Sequence, residues 1–590
     1  MLTRDASHLG YQELLRQSRS FDYSTCQRDL RVAVLSDAAV PQLVPLLRVL
    51  LGQQGVRAEI HLAEYDSIEL EVFNEQSALY AFAPDVVVIL NATNALRLKY
   101  YRCQGERLQL RDEVAAKMAA EWDSIGARSS AIILQSNFVL PYERPFGNFD
   151  HQMPAAFQPW VAALNTAIVE QLRERSNVFL NDVDGLASYV GRKHWFDERM
   201  WTLCKAFCAF EYLPMVAQNI VDIVLANLGR VVKCVVVDLD NTLWGGVIGD
   251  DGMEGVTISP SGEGEPFGRL QHYLLELKKR GIVLAVCSKN DRETALEPFR
   301  HHPEMVLRED DIAVFIANWQ PKPDNLRAIK ETLNIGFDSM VFLDDNPFER
   351  QLVRECLPEV IVPELPDDPS DYVRALSELN LFETTSFSDE DRRRAELYRD
   401  NTRREQLRMD VSDISEYLRS LDMRITMKRF DAFHLPRIAQ LIQRSNQFNL
   451  TTRRYNVAEC EAMMSEGTSY VPFYLKLSDK FGDNGLISVV ILQRGGPDLL
   501  IDTWLMSCRV LARGVEQYAM NQVVAFAKAH GYATLVGSYI PTAKNAMVQH
   551  FYEQFGFERM EEDAQRETRW RLRVASYTPR EVWMKEENHG

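Results

Sequence analysis

Eight short apolar runs, each bounded by turn residues and spaced by a helix-length amphipathic stretch, commit the first two thirds of this chain to parallel α/β architecture. They fall into two successive blocks. The first, at 1–225, offers Arg31–Leu35, Asp85–Leu90, Ala131–Gln135 and Asn177–Leu180 as strands. The second, at 226–385, offers Val231–Leu239, Val283–Cys287, Ile312–Ala317 and Met340–Leu343, and closes on the proline-rich PELPDDP at 363–369. A charged stretch at 386–421 follows, with Ser388 and Asp391 spaced as a helix-starting box, and predicts a solvated connecting helix. A third module at 422–575 is α+β, with strands in MRITMKRF, YVPFYLKLSD and LISVVILQR and helices over 514–530 and 543–555. The tail at 576–590 is polar and is expected to fray. At 590 residues the chain is long enough for about three or four domains, and no internal repeat is visible.

Charge and cysteine usage narrow the function classes. With 84 acidic against 66 basic residues the formal net charge is −18, which argues against nucleic acid or an anionic membrane as the partner. The nine cysteines are odd in number and lack paired metal-ligand spacing, so Cys204 and Cys208 read as ordinary buried thiols and the compartment as a reducing cytoplasm. The start, MLTRDASHLGYQELL, has no apolar core of a leader, and no run approaches the ~18 apolar residues of a membrane span.

The chemistry concentrates in the second block. Asp238-Leu-Asp240-Asn241-Thr242 ends an apolar strand, and open parallel sheets bind ligands at the carboxyl ends of their strands. Two acids one residue apart suit phosphoryl transfer: one attacks phosphorus and helps to hold Mg²⁺, the other protonates the leaving oxygen. Three further elements follow in order at strand ends: Ser288 for phosphoryl oxygens, Lys322 for negative charge, and Asp344-Asp345 as hard ligands for Mg²⁺. In this order the residues resemble the haloacid dehalogenase superfamily of aspartate-dependent phosphotransferases. The resemblance implies a Rossmann-like domain with Asp238 as nucleophile and Asp240 as general acid/base. It also implies Ser288 and Lys322 as phosphate contacts, and Mg²⁺ shared by Asp238, Asp240 and Asp344 or Asp345. Between Asp240 and Ser288 lie 47 residues and between Ser288 and Lys322 only 33, too few for a folded cap, so the site is open to bulky substrates or closed by a neighbouring domain.

A longer string is more specific. Val237–Gly252 (VDLDNTLWGGVIGDDG), with CSKND at 287–291, FLDDNPFER at 342–350, SNQFNLTTRRY at 445–455, FGDNGLIS at 481–488 and MSCRVLARGVE at 506–516, resembles the FkbH family. That resemblance implies a bifunctional glyceryltransferase/phosphatase of polyketide and related pathways. Such an enzyme takes 1,3-bisphosphoglycerate, removes phosphate, and loads the glyceryl unit as a thioester on the phosphopantetheine arm of an acyl carrier protein. A protein thiol that holds the acyl group in transit would be Cys287, beside Ser288, or Cys508; Cys234 belongs to the core, and a transfer without any acyl-cysteine stays open.

The third module resembles the acyl-CoA N-acyltransferase (GNAT) fold through Arg509-Val-Leu-Ala512-Arg513-Gly514 and through Asn545 with Phe551–Phe557. By that likeness Arg509, Arg513, Gly514, Asn446 and Arg453 bind the carrier arm; the alternative is that Arg509 and Arg513 make structural salt bridges. Ala512 stands where the loop's first glycine belongs. An acidic carrier would need a basic patch, for which Arg453, Arg454, Arg509 and Arg513 are the candidates. The first block is similar to the SGNH hydrolases, with Ser36-Asp37, Asn91 and Asn94, and His194 and Asp197 in degenerate positions, and reads as a non-hydrolytic scaffold. Two rivals remain: a phosphatase or N-acyltransferase of glycan or secondary-metabolite assembly, and a silent module that docks carrier proteins.

Overall fold

The computed structural model describes residues 10–387, part of 388–412, and 413–587 apart from 466, 543 and 563–566. It forms two compact units. One holds the chain up to Asn227 together with Glu378–Thr385, and the other holds Leu228–Ser377 together with the chain from Ser386.

The first unit is built on five parallel strands, β1 (Arg28–Ser36), β2 (Val56–Leu62), β3 (Val86–Leu90), β4 (Ile132–Ser136) and β5 (Val178–Asn181), in the order β2-β1-β3-β4-β5. The order reverses between β1 and β3, which opens a crevice at their carboxyl ends. The sequence reading omits β2, and the reason is its edge position. Only one face of β2 is covered, so Val56 and Ala58 are buried while Arg57 and Glu59 stay exposed, and no continuous apolar run survives.

In the second unit, β6 (Cys234–Val237), β7 (Val283–Ser288), β8 (Val314–Ala317) and β9 (Met340–Leu343) run parallel in the order β8-β7-β6-β9. Every residue of β6, β7 and β9 is buried, which is why these strands read as unbroken apolar runs. Between β6 and β7 lie only a flap with the short helix Ile248–Gly255 and the helix Glu265–Lys279, so no folded cap is inserted there. The flap folds tightly because Gly246 has φ +90°, and a Cβ on it would lie 2.4 Å from the Gly255 carbonyl oxygen.

The same unit carries a second sheet of β10 (Met423–Arg429), β11 (Phe448–Asn449), β12 (Tyr470–Asp479), β13 (Gly482–Gly495), β14 (Asp498–Met506), β15 (Thr534–Tyr539), β16 (Glu558–Glu562), β17 (Thr568–Arg573) and β18 (Met584–Glu586). Its order is β16-β17-β15-β14-β13-β12-β10-β18, with β11 on β14; the pairs are antiparallel except β14–β15 and β10–β18. The helix Val515–Ala529 crosses between β14 and β15, as the 514–530 reading expects. The helix expected over 543–555 is reduced to Phe551–Gln554. Buried Asn545 explains this: its amide donates to the carbonyls of Asn449 and Ile540, and its oxygen accepts from Thr542 N, which pins the backbone as a loop. Most of the connecting segment, including Ser388 and Asp391, lies outside the described residues; Ile414–Ser420 is helical, capped by Asp413.

The tail does not fray where it was expected to. Met584 is buried and β18 pairs with Met423–Ile425, while the Arg419 guanidinium lies 4.0 Å from the centre of the Trp583 ring. Three apolar residues in a row, Val582-Trp583-Met584, give a polar segment one anchor. Among the described residues no helix is long and apolar enough to cross a membrane. Met584→Ala is expected to cost about 2–3 kcal/mol in urea unfolding of the full chain; an unchanged midpoint would show that the tail contributes nothing to the domain.

Candidate active site

Asp238 follows β6, Ser288 ends β7, Lys322 opens the helix Lys322–Leu333 after β8, and Asp344 follows β9, so the four parallel strands deliver all four residues to one edge of the sheet. Lys322 Nζ donates to Asp238 Oδ2 at 2.7 Å and to Asp344 Oδ2, and all three groups are buried. Oxygens of Asp238, Asp344 and Asp345 lie within 4.8 Å of one another. Thr242 Oγ1 orients Asp345, donating to its Oδ1 at 3.1 Å and accepting from its backbone N at 2.9 Å. Buried Arg350 closes the turn by donating to the carbonyls of Asp344 and Asp345 at 2.8 and 2.7 Å.

Three carboxyl groups around one ammonium leave a poorly hydrated corner short of positive charge. Burial, and then the charge of Asp238, push the Asp344 carboxyl up to about 7, and the same two causes raise Asp345. Burial alone would lower Lys322, but Asp238 and Asp344 outweigh it and hold the ammonium above its ordinary value. Asp238 Oδ1 is buried without a hydrogen-bond partner. A bare carboxylate oxygen, two further acids and too little positive charge fit a small, hard divalent cation.

Asp240 does not join that cluster through its side chain. Its Oδ1 accepts from Trp244 Nε1 and from Ile248 N, both at 3.0 Å, and its Oδ2 accepts from Asn290 Nδ2 at 2.8 Å. The side chains gathered for a metal are therefore Asp238, Asp344 and Asp345, and the Asp240 carboxylate is tied instead to the flap through Ile248. Buried Asn290 also donates to Ser288 Oγ at 3.2 Å, so it bridges the two expected functional groups. The sequence reading includes Asn290 only as part of CSKND and gives it no role; its signal is a polar residue two positions past the end of a buried strand.

Cys287 is not placed for acyl transfer. Strand alternation turns it away from Ser288 into the core, where its thiol is fully buried and reaches only the Lys322 carbonyl at 3.9 Å, and burial pushes its pKa far up. The side chain of Cys508 lies outside the described residues.

The residues expected to hold a carrier arm are held by the domain itself. Arg513 is buried: it pairs with Asp479 Oδ2 at 3.3 Å and donates to Asn401 Oδ1 and the Arg509 carbonyl, while Arg404 takes the other Asp479 oxygen at 2.7 Å. Arg453 pairs with buried Asp502, and Arg454 turns onto the carbonyls of Ile442 and Ser445 and onto Asn446 Oδ1. Arg509 Nε donates to Ser507 Oγ at 3.1 Å. Buried carboxylates such as Asp479 and Asp502 require counter-charges, and supplying them takes Arg513 and Arg453 out of the expected basic patch as free cations. Gly514, at φ +84° and half-buried, lines a cavity where it precedes the helix Val515–Ala529, and Arg453 stays exposed beside its ion pair.

In the first unit, Ser36 Oγ is buried, donating to the Leu90 carbonyl at 2.9 Å and accepting from Ala38 N at 3.0 Å. Asp37 accepts from Ala92 N and Asn91 Nδ2 and is pushed up to about 6 by burial. Asn94 accepts from Arg97, His194 is exposed, and Asp197 is spent capping the helix Glu198–Cys204 through Met200 N at 2.9 Å. The cavity beside Asn91 and Asn94 measures about 10 Å³, room for no more than one water.

The comparisons agree with this geometry. A crystal structure of the N-terminal part of the protein BF1531 from Bacteroides fragilis, containing a phosphatase domain complexed with Mg, is 37% identical over 64% of this chain and 100% of that chain, with a TM-score of 0.61. The model of the FkbH N-terminal domain matches residues 31–225. The chain belongs to the FkbH family. It is also similar to the ribosomal-protein-S18-alanine N-acetyltransferase of Escherichia coli (16% identity, 25% of this chain and 94% of that one, TM-score 0.20). A domain from Methanocaldococcus jannaschii gives 13% identity over 26% of this chain and 99% of that one, with a TM-score of 0.22. No curated protein matches the chain.

Two outcomes test the charge cluster. Lys322→Met is expected to cost about 3–5 kcal/mol in denaturant unfolding, because two buried carboxylates lose their counter-charge; a cost below about 1 kcal/mol would mean that the cluster is hydrated. Cation binding must displace the proton that Asp344 holds up to about pH 7. Mg²⁺ affinity should therefore fall about tenfold per unit as pH drops below 7 and level off above it; a calorimetric titration flat from pH 5.5 to 7.5 would contradict this.

Proposed function

We propose that this protein is a cytoplasmic Mg²⁺-dependent phosphatase and glyceryltransferase. It dephosphorylates 1,3-bisphosphoglycerate and loads the glyceryl unit as a thioester onto an acyl carrier protein. The observation that carries the phosphatase half is the unpartnered Asp238 Oδ1 beside Asp344, Asp345 and Lys322 at the carboxyl end of β6. The sequence strings that identify the family support the substrate and the carrier. All described cysteines are free thiols, which suits a reducing compartment.

Such a donor carries a phosphate ester at one end and an acyl phosphate at the other. At the ester, a carboxylate oxygen of Asp238 attacks phosphorus, the bond from phosphorus to the sugar-acid oxygen breaks, and that oxygen takes its proton at Asp240. Water then attacks the aspartyl phosphate, Asp240 takes a proton from it, and the bond to Asp238 breaks to release inorganic phosphate. Lys322 keeps charge balanced at Asp238, and Ser288 and Asn290 donate to phosphoryl oxygens. Mg²⁺, held by Asp238, Asp344 and Asp345, supplies Lewis-acid stabilisation of phosphoryl charge. Asp240 enters the reaction when the flap releases its hold through Ile248, which couples the acid/base to substrate entry.

At the acyl end, the carrier thiolate attacks the carbonyl carbon, the bond to the phosphate oxygen breaks, and phosphate departs as the thioester forms. This route needs no acyl group on Cys287. The first domain, whose Ser36 is locked to Leu90, is read as a scaffold of SGNH-like form, and the C-terminal domain as an acyltransferase-like module that receives the carrier arm. An intact cluster that leaves Asp238 Oδ1 without a partner argues against a silent docking module.

Incubation with Mg²⁺, 1,3-bisphosphoglycerate and a pantetheinylated carrier should add a glyceryl mass to the carrier by intact mass spectrometry. Asp238→Asn should cut release of the ester phosphate at least about 10³-fold, and Ser36→Ala should leave both readouts within about twofold. A carrier that stays unmodified would overturn the transferase reading, and full activity of Asp238→Asn would overturn the phosphatase reading.

A further inference from the structure

A cavity of about 490 Å³ lies in the C-terminal domain at the N-terminal end of the helix Val515–Ala529, within the size range of small-molecule pockets. Its walls include Phe448, Phe551 and Trp583, and its polar edge is formed by Glu516, Gln517 and Glu581. No Lys, Arg or His stands among the described residues that line it.

A helix N-terminus ordinarily offers free backbone N–H groups to an anion. Here Glu516, in the first turn of the helix, lines the cavity itself, so the chain's own acid already stands at that position. Ala512 is in the left-handed region at φ +59°, and its Cβ stands where a glycine would let a phosphate approach the backbone. Arg513, the nearest cation in the loop, is turned inward to Asp479 and Asn401. A ligand with a pyrophosphate would therefore meet two carboxylates and no counter-charge. A donor on the ligand, by contrast, finds an acceptor: Gln517 Oε1 is buried and has no hydrogen-bond partner.

The sheet itself is closed to a ligand. β14 and β15 pair only from Asp498–Ile501 to Thr534–Gly537 and then part. The gap is filled by β11 and Leu450, which bond to Met506 and Leu505 on one side, to Trp504 O at 3.0 Å, and through the Leu450 carbonyl to Ile540 N at 2.9 Å. The string SNQFNLTTRRY thus inserts a strand between strands, and Phe448 from that strand walls the cavity.

We infer that this cavity takes the pantetheine part of a carrier arm, a neutral, amide-bearing chain, and excludes nucleotide-bearing pantetheine such as coenzyme A, with Glu516 as the residue that sets the discrimination. This rests on the carrier-loading reading above and adds to it a choice between two thiols that share the same reactive end. The arm's apolar methyl groups meet Phe448, Phe551 and Trp583, and an amide N–H donates to Gln517 Oε1.

The test titrates the full-length chain with pantetheine and with coenzyme A, followed by calorimetry and tryptophan fluorescence. Pantetheine should bind at least about tenfold tighter than coenzyme A, and Glu516→Gln should narrow that ratio by strengthening coenzyme A alone. Met547, more than half exposed at the rim, can be changed without touching the core, and Met547→Trp should abolish pantetheine binding. Coenzyme A binding as tightly as pantetheine would overturn the discrimination while leaving the arm site standing. No pantetheine binding up to about 10 mM would overturn the arm site itself, and unimpaired binding by Met547→Trp would overturn its location.

Discussion

The site depends on one buried ammonium. Lys322 is wedged between Asp238 and Asp344, and without it the parallel sheet could not hold three acids at its carboxyl edge. The compensation is incomplete by design of the residue count. One positive charge faces three carboxyl groups, so the corner stays short of positive charge, Asp344 keeps its proton to about pH 7, and Asp238 retains a bare oxygen. A group that must attack phosphorus and share a divalent cation needs that state: ionised, held in position and not saturated with hydrogen bonds. Asp240 shows the opposite condition. It accepts three hydrogen bonds, one of them from the flap.

The same rule, that a buried acid takes the nearest base, governs the C-terminal domain. Asp479 takes Arg404 and Arg513, and Asp502 takes Arg453. The arginines that a motif would assign to ligand phosphates are spent on the fold, and what they leave behind is a pocket edged by Glu516, Gln517 and Glu581. The strings that carry the resemblance hold fold devices as well as chemistry: SNQFNLTTRRY supplies the strand that closes the gap between β14 and β15.

Strands buried on both faces were legible from sequence, since Cys234–Val237, Val283–Ser288 and Met340–Leu343 contain no position open to water. Asp238 and Asp344 were legible for the same reason: a polar residue directly after such a run has nowhere to go but the sheet edge, where Ser288 ends its own strand. Features that depend on partners distant in sequence were not. β2 hides its strand pattern because one face meets solvent, Asn545 breaks a helix through contacts with Asn449, and Arg513 is claimed by Asp479 across 34 positions. The separation of the Asp240 carboxylate from the acids gathered for a metal is likewise invisible to spacing, because it is caused by an indole and two amide donors that only folding brings together.

The central claim is that Asp238 is the group that accepts the phosphoryl unit, and the covalent intermediate is its most direct test. The full-length protein, mixed with Mg²⁺ and 1,3-bisphosphoglycerate and quenched in acid within the first turnover, can be reduced with borohydride, which converts an aspartyl phosphate to homoserine. Peptide mass spectrometry should then find homoserine at position 238 and an unmodified aspartate at 240. Homoserine at any other position, or phosphate released in a burst with no modified aspartate, would contradict the account.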